Sequence, residues 1–156
     1  MAIAEQKVQG ESAAVMFEGF GIWTSGMHSY NSYTMERFRR GIVAVLINEI
    51  GQVLLCERSD SFNSWQFPQG GIEPGESDTE AFFRETTEEL GNGNCEILRV
   101  GEHTTIYRWP ESGVEYVGQE QTWFLARFRK GALPCLEKSD GCFRSWRWED
   151  PSKVLA

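Results

Sequence analysis

Long apolar runs and paired cysteines are missing from this chain, and positive charge is in short supply. No stretch of 18 apolar residues occurs, which excludes a membrane-spanning helix. The first residues carry neither a basic segment nor an apolar core, so they do not read as a secretory signal. Cys56, Cys95, Cys135 and Cys142 show no C-x-x-C spacing. They read as reduced thiols of a cytoplasmic protein rather than as a zinc or disulfide framework. Fifteen Lys and Arg stand against 23 Asp and Glu, a net charge of −8. So acidic a chain is a poor passive binder of nucleic acid, and neither DNA nor a membrane is an expected partner.

What remains suits one globular domain: 156 residues, 40% hydrophobic and 13% aromatic. Residues 1–34 carry Gly, Ser and isolated aromatics without sustained periodicity. They read as a flexible leader, or as sequence upstream of a start at Met35, with a short helix at most around 12–17. Residues 35–156 are read as the domain. An apolar, β-branched run at 41–48 predicts a strand, 49–51 a turn, and 52–58 the returning strand of a hairpin. Residues 65–67 are short and extended, because Pro68 keeps Phe67 out of helix. Three glycines and a proline make 69–75 a loop. Ser77 or Asp78 caps a helix that ends at Leu90, where Gly91 stops it. Ala81, Phe82, Phe83 and Leu90 give that helix its buried side.

Beyond it, 95–109 predicts a strand pair or one long bent strand, 110–113 a turn, and 115–128 a strong strand. A polar loop at 129–142 leads to 143–148, where aromatic and polar residues alternate as in an edge strand. Asp150 and Pro151 open a last helix. A mixed sheet with one long helix needs cover on its other face. The last helix is the natural cover but is only begun. Either the leader substitutes, or the C-terminus is shortened.

The chemistry concentrates between Gly70 and Gly91, GGIEPGESDTEAFFRETTEELG. Residues three and four apart on a helix share a face, so Glu85 lies over Glu88 and Glu89, beside Arg84. Like charges that close lower helix stability by roughly 0.2–0.5 kcal/mol per pair. A divalent cation removes that cost, and carboxylate oxygens suit Mg²⁺ or Mn²⁺ rather than Zn²⁺.

The segment resembles the Nudix box, G-x5-E-x7-R-E-U-x-E-E-x-G-U, with U a bulky aliphatic. Gly70, Glu76, Arg84, Glu85, Glu88, Glu89 and Gly91 fill its seven fixed positions, while Thr86 and Asn92 depart at two U positions. Thr86 is expected to thin the packing of helix on sheet, and Asn92 to alter the helix exit. SWQFPQGGI (64–72), GQEQTWFL (118–125) and WRW (146–148) are similar to one Nudix branch, which includes bacterial RNA 5′-pyrophosphohydrolases and asymmetrically cleaving diadenosine tetraphosphate hydrolases. The likeness covers roughly 37–155.

That resemblance implies an α+β Nudix fold, a mixed β-sheet sandwiched between helices, here with its C-terminal helix shortened. It implies divalent-metal-dependent hydrolysis of a nucleoside 5′-polyphosphate by water attack on phosphorus. The expected substrate is 5′-triphosphorylated RNA, a dinucleoside polyphosphate, or both. Sanitising an oxidised nucleotide fits less well, because those enzymes usually carry FPGG rather than FPQGG. Glu85, Glu88 and Glu89 are expected to hold Mg²⁺ or Mn²⁺, helped by the backbone carbonyl of Gln69 or Gly70. Arg84 orients the glutamates, and Glu76 supports the loop or reaches a metal through water. Arg37 and Arg58 match phosphate-contact positions, Tyr107 a base-stacking one, and Gln119 and Ser64 are candidates for phosphate or ribose. Arg39 and Arg40 replace an asparagine and an apolar residue of the branch, adding local positive charge. The branch's extra acidic residue falls at Cys142, a poor stand-in, so the base is left among Asp140, Glu137 and the box glutamates. A non-catalytic Nudix-fold binder of RNA or nucleotides is the alternative: Cys142 and the short C-terminus favour it, the complete box opposes it. Monomer and homodimer are both left open.

Overall fold

The computed structural model describes residues 36–109 and 115–154. The leader assigned to 1–34 and the turn at 110–113 lie outside the described residues. Among the described residues, eight strands form one mixed sheet: β1 Phe38–Ile47, β2 Val53–Arg58, β3 Trp65–Gln66, β4 Gln69–Gly71, β5 Cys95–Val100, β6 Thr105–Arg108, β7 Gly118–Phe128 and β8 Phe143–Glu149. Two α-helices join them, α1 Asp78–Leu90 and α2 Pro151–Val154, together with a 3-10 turn at Leu136–Lys138. The strand order is β3-β2-β1-β7-β5, with β4 on β1, β6 on β7 and β8 on β2. β1 and β7 are parallel in unbroken register from Phe38↔Gly118 to Ile47↔Arg127, and every other pairing is antiparallel. No helix of the described residues is long and apolar enough to cross a membrane.

The predicted elements fall where expected, with two differences. Residues 69–71, read as loop, are strand β4, paired to Gly41–Val43 of β1. This strand rests on a close backbone approach: a Cβ added at Gly41 would lie 2.8 Å from the Gly70 carbonyl oxygen. Glycine here is a matter of space, which a pattern of side chains does not display. Phe83, expected in the buried side of α1, is 38% exposed and touches Phe82 edge-on. Its place inside is taken by Thr86, wholly buried, whose hydroxyl donates to the Phe82 carbonyl at 2.8 Å. A buried threonine whose hydroxyl is satisfied along its own helix packs much as an aliphatic residue does. Residues 95–109, read as a strand pair or one long bent strand, hold two strands, β5 and β6, that run end to end along β7, Cys95 opposite Phe128 and Arg108 opposite Gly118.

Alternation along the strands builds a core on each face of the sheet. Ile42, Ala44, Leu46, Leu54, Cys56, Phe124 and Ala126 pack against Ala81, Phe82 and Leu90 of α1, with Phe82 stacked on Phe124 at 5.0 Å. Val43, Val45 and Val53 face the other way, under Phe67, Trp123, Leu125 and, from α2, Val154. All four cysteines are free thiols. Ser77 caps α1 in a reciprocal box with Glu80: the Ser77 N–H donates to Glu80 Oε2 at 2.9 Å, and the Glu80 N–H to Ser77 Oγ at 3.3 Å. Ser77→Ala is therefore expected to cost about 1 kcal/mol of unfolding free energy. Urea titration measures it, and an unchanged midpoint would show the cap idle.

Candidate active site

The site begins with the reason α1 starts and stops where it does. The capping box fixes its first turn, and Gly91, with φ 65°, takes the left-handed conformation that ends it. The loop after β7 then closes on the helix end. The Cys135 N–H donates to the Leu90 carbonyl at 2.7 Å, and the Asp140 N–H to the Glu88 carbonyl at 2.8 Å. Asn92 joins the same loop, its amide donating to the Leu133 carbonyl at 2.9 Å. These bonds satisfy terminal carbonyls of the helix and bring Asp140 to the side of Glu89.

Arg84 is the hub of the acidic cluster. Its Nε and Nη2 donate to the two oxygens of Glu76, both at 2.9 Å, and Nη2 also donates to the Gly71 carbonyl at 2.7 Å. Its Nη1 donates to Glu85 at 2.8 Å and to Glu88 at 3.1 Å. Bidentate, charge-assisted bonds of this kind fix geometry as well as charge. They hold the Glu76 carboxyl below its usual range, with the Glu73 N–H contributing. Arg84 itself is held well above the ordinary guanidinium value, chiefly by Glu76.

Glu85 and Glu89 lie inward, and Glu88 is half-exposed. Burial raises the Glu85 carboxyl against the pull of Arg84. Glu89, only 7% exposed, is pushed up to about 8, chiefly by burial; the Gln69 N–H, donating at 2.9 Å, opposes this, while Glu85 and Asp140 add to it. The carboxyl of Glu85 lies against Gly70, where an added Cβ would fall 1.8 Å from its carboxyl carbon. β4 and the glutamate helix thus meet at a bare edge of backbone.

The register places Arg39, Gly41, Gly71, Tyr107, Gln119 and Gln121 on the opposite face of the sheet from α1. Gln121 is buried and donates to Gln69 at 2.9 Å and to Gln119 at 3.3 Å. Reading the sequence missed it; its alternation with Gln119 on β7 was the available signal. Tyr107 is half-buried on this face, beside Gln119. Arg58 is engaged by Asp60 at 2.7 and 2.5 Å, Arg37 by Glu115 at 3.6 Å, and Ser64 is buried at the end of the 59–64 loop. Asp140 accepts the Cys142 N–H at 2.9 Å and its thiol at 3.2 Å. Burial, followed by Asp140, pushes that thiol up to about 11. Glu137 is exposed on the 3-10 turn, and no hydrogen bond or ion pair among the described residues joins it to the cluster. A separate cavity of about 890 Å³, between the β1–β2 turn and residues 128–133, contains none of these side chains.

Among the described residues, no three acidic, cysteine or histidine side chains already converge on one point as a cation's ligands. Arg84 and the Gln69 N–H hold the glutamates instead. The donor set nevertheless fits a hard divalent cation. It is all carboxylate oxygen, and two of its members are raised by burial, Glu85 even with Arg84 bonded to it, so a further cation would favour their charged forms.

The model of the NUDIX domain matches residues 37–156. An RNA pyrophosphohydrolase of Rhodospirillum rubrum is 37% identical over 126 residues, covering 76% of this chain and 76% of that protein. One from Tolumonas auensis is 36% identical, covering 72% and 71%. Among solved structures, a C. elegans Ap4A hydrolase binary complex superposes with a TM-score of 0.59 over 75% of this chain and 83% of that one; at 20% identity this is a likeness of fold. With the box complete and its helix seated against a glycine edge of the sheet, the chain belongs to the Nudix hydrolase family.

Proposed function

We propose that this chain hydrolyses a phosphoanhydride bond of a nucleoside 5′-polyphosphate, with 5′-triphosphorylated RNA or a dinucleoside polyphosphate as substrate. The observation that carries the reading is the buried Glu89, its carboxyl pushed up to about 8, standing with the partly buried Glu85 at the bare Gly70 edge. A group held this far from its ordinary pKa in a fixed geometry is what an active site builds and what a solvated helix face does not. The names of the bacterial relatives favour an RNA 5′ end.

Glu85, Glu88 and Glu89 would hold Mg²⁺ or Mn²⁺, which when bound lowers the pKa of water and neutralises phosphate charge. Arg84 keeps Glu85 and Glu88 together, and Glu76 fixes Arg84 in turn. Asp140 is the proton acceptor in this reading. It is the one carboxylate of the 129–142 loop that the helix end draws in, and it compensates for the thiol at position 142. Tyr107 and Gln119 offer the open sheet face to the nucleoside. Stacking on the tyrosine ring is worth about 1–3 kcal/mol.

A product assay with Mg²⁺ tests the reading, comparing triphosphate-ended RNA with diadenosine tetraphosphate and using Glu89→Gln as control. Pyrophosphate released from RNA by the wild type alone marks an RNA 5′-end enzyme. Turnover confined to the dinucleotide, giving ATP and AMP, moves the substrate there. Binding of both without turnover of either sinks the hydrolase reading in favour of a binding protein. In the same assay Asp140→Asn should lower kcat with little change in KM; an unchanged kcat removes Asp140 as base.

A further inference from the structure

The arginines around the site differ in what they already hold. Arg84 spends all three guanidinium nitrogens on Glu76, Glu85, Glu88 and the Gly71 carbonyl. Arg40 is paired with Asp78, Arg58 with Asp60, and Arg37 with Glu115. Arg39 stands apart: among the described residues no hydrogen bond or ion pair engages it, and it is exposed. Its position is nevertheless defined. A Cβ added at Gly71 would lie 2.1 Å from Arg39 Nη2 and 2.5 Å from its Cζ, so the guanidinium lies on bare backbone.

Gly70 and Gly71 therefore carry opposite charges on opposite faces. The carboxyl of Glu85 lies against the first and the guanidinium of Arg39 against the second. Arg39 also shares its face with Tyr107 and Gln119, and its register partner on β7 is Gln119 itself.

We propose that Arg39 binds the phosphate chain of the substrate, taking non-bridging oxygens on the sheet face while the glutamates act across the Gly70–Gly71 edge. The inference rests on the polyphosphate reading above and adds a residue to it. A planar guanidinium meets two phosphate oxygens at once, and one with no ion pair among the described residues gives up none of them to do so. In a chain of net charge −8, such a cation is the local attraction that an anionic ligand requires. Among the described residues, Arg37 and Arg58 must first exchange a carboxylate for a phosphate, and Arg39 need not.

The test is equilibrium binding, in Mg²⁺, of a non-hydrolysable methylene analogue of adenosine 5′-triphosphate, with adenosine as the uncharged probe. Arg39→Ala should weaken binding of the triphosphate analogue by about 10- to 100-fold and leave adenosine within about twofold. Arg39→Lys should recover part of the loss, because it keeps the charge without the two-pronged geometry. Triphosphate binding unchanged in Arg39→Ala overturns the proposal. So does an equal loss for both probes, which would mean the variant had disturbed the face rather than a phosphate contact. A wild-type chain that binds adenosine but gains nothing from the phosphates overturns the polyphosphate reading itself, and is told apart because it appears before any substitution is made.

Discussion

In Glu89→Gln, turnover is expected to fall by about 10²- to 10³-fold or more, while the metal-free chain becomes more stable above neutral pH. Both effects follow from one property. Burial holds the Glu89 carboxyl near 8, against an ordinary value of 4.5. Between those two values the folded chain keeps a proton that the unfolded chain has lost, so raising the pH favours unfolding. The stability this group contributes is complete below pH 4.5 and is lost as the pH climbs through 8. Glutamine keeps the shape and has no charge to bury, so by pH 8 the variant should lead the wild type by roughly 2–4 kcal/mol in a chelator. Thermal midpoints in EDTA from pH 5 to 8.5 measure it, the wild type falling relative to the variant. Parallel curves would falsify the assignment of Glu89 as a buried, strained acid. Adding Mg²⁺ at pH 8 should raise the wild-type midpoint, because a ligand that binds only the folded state stabilises it. The variant should respond much less. Since binding must displace the proton, metal affinity should rise with pH up to about 8.

Glu89 also shows how far the sequence could be read. Its place on α1, the face it shares with Glu85, and the cap and stop at Ser77 and Gly91 are all local, set by residues within a few turns of one another. Local signals survive in a single sequence. The rise in its pKa comes chiefly from burial, to which Glu85 on the same helix adds and then Asp140, which is 51 residues away and is drawn in by a hydrogen bond to the Glu88 carbonyl; only the helix neighbour was local. β4 was hidden for the same reason, since its three residues pair through backbone alone. Arg39 was legible only as extra charge until the parallel register of β1 on β7 placed it beside Gln119. Thr86 shows the converse case. Read as a loss of bulk, it sits wholly buried because its hydroxyl finds a partner inside the helix. What escaped the sequence was pairing between distant segments, where hydrophobic periodicity carries no information.

Gly70→Ala is the second large effect expected, and it separates the site from the fold. Gly70 is not among the glycines with positive φ, so alanine meets no backbone penalty there. What the new methyl meets is the Glu85 carboxyl, with both oxygens within 2.1 Å and the carboxyl carbon at 1.8 Å. That is the end of a long side chain, which can swing aside by giving up its bond to Arg84. The fold should therefore survive, with stability within about 1 kcal/mol of wild type. Glu85, however, must leave its place, and displacing a catalytic group by about 1 Å can cost 100-fold in rate. Gly41→Ala is the matched contrast on the partner strand. Its methyl would meet the Gly70 carbonyl oxygen at 2.8 Å, a backbone atom that cannot swing aside. That variant should push β4 off β1 and lose about 1–3 kcal/mol. Urea unfolding and single-turnover rates on the two variants together decide the matter. If glycine is there for the carboxylate, Gly70→Ala loses rate and keeps its midpoint, while Gly41→Ala loses its midpoint first. Full activity in Gly70→Ala would mean that Glu85 does its work from some position other than the one against this edge.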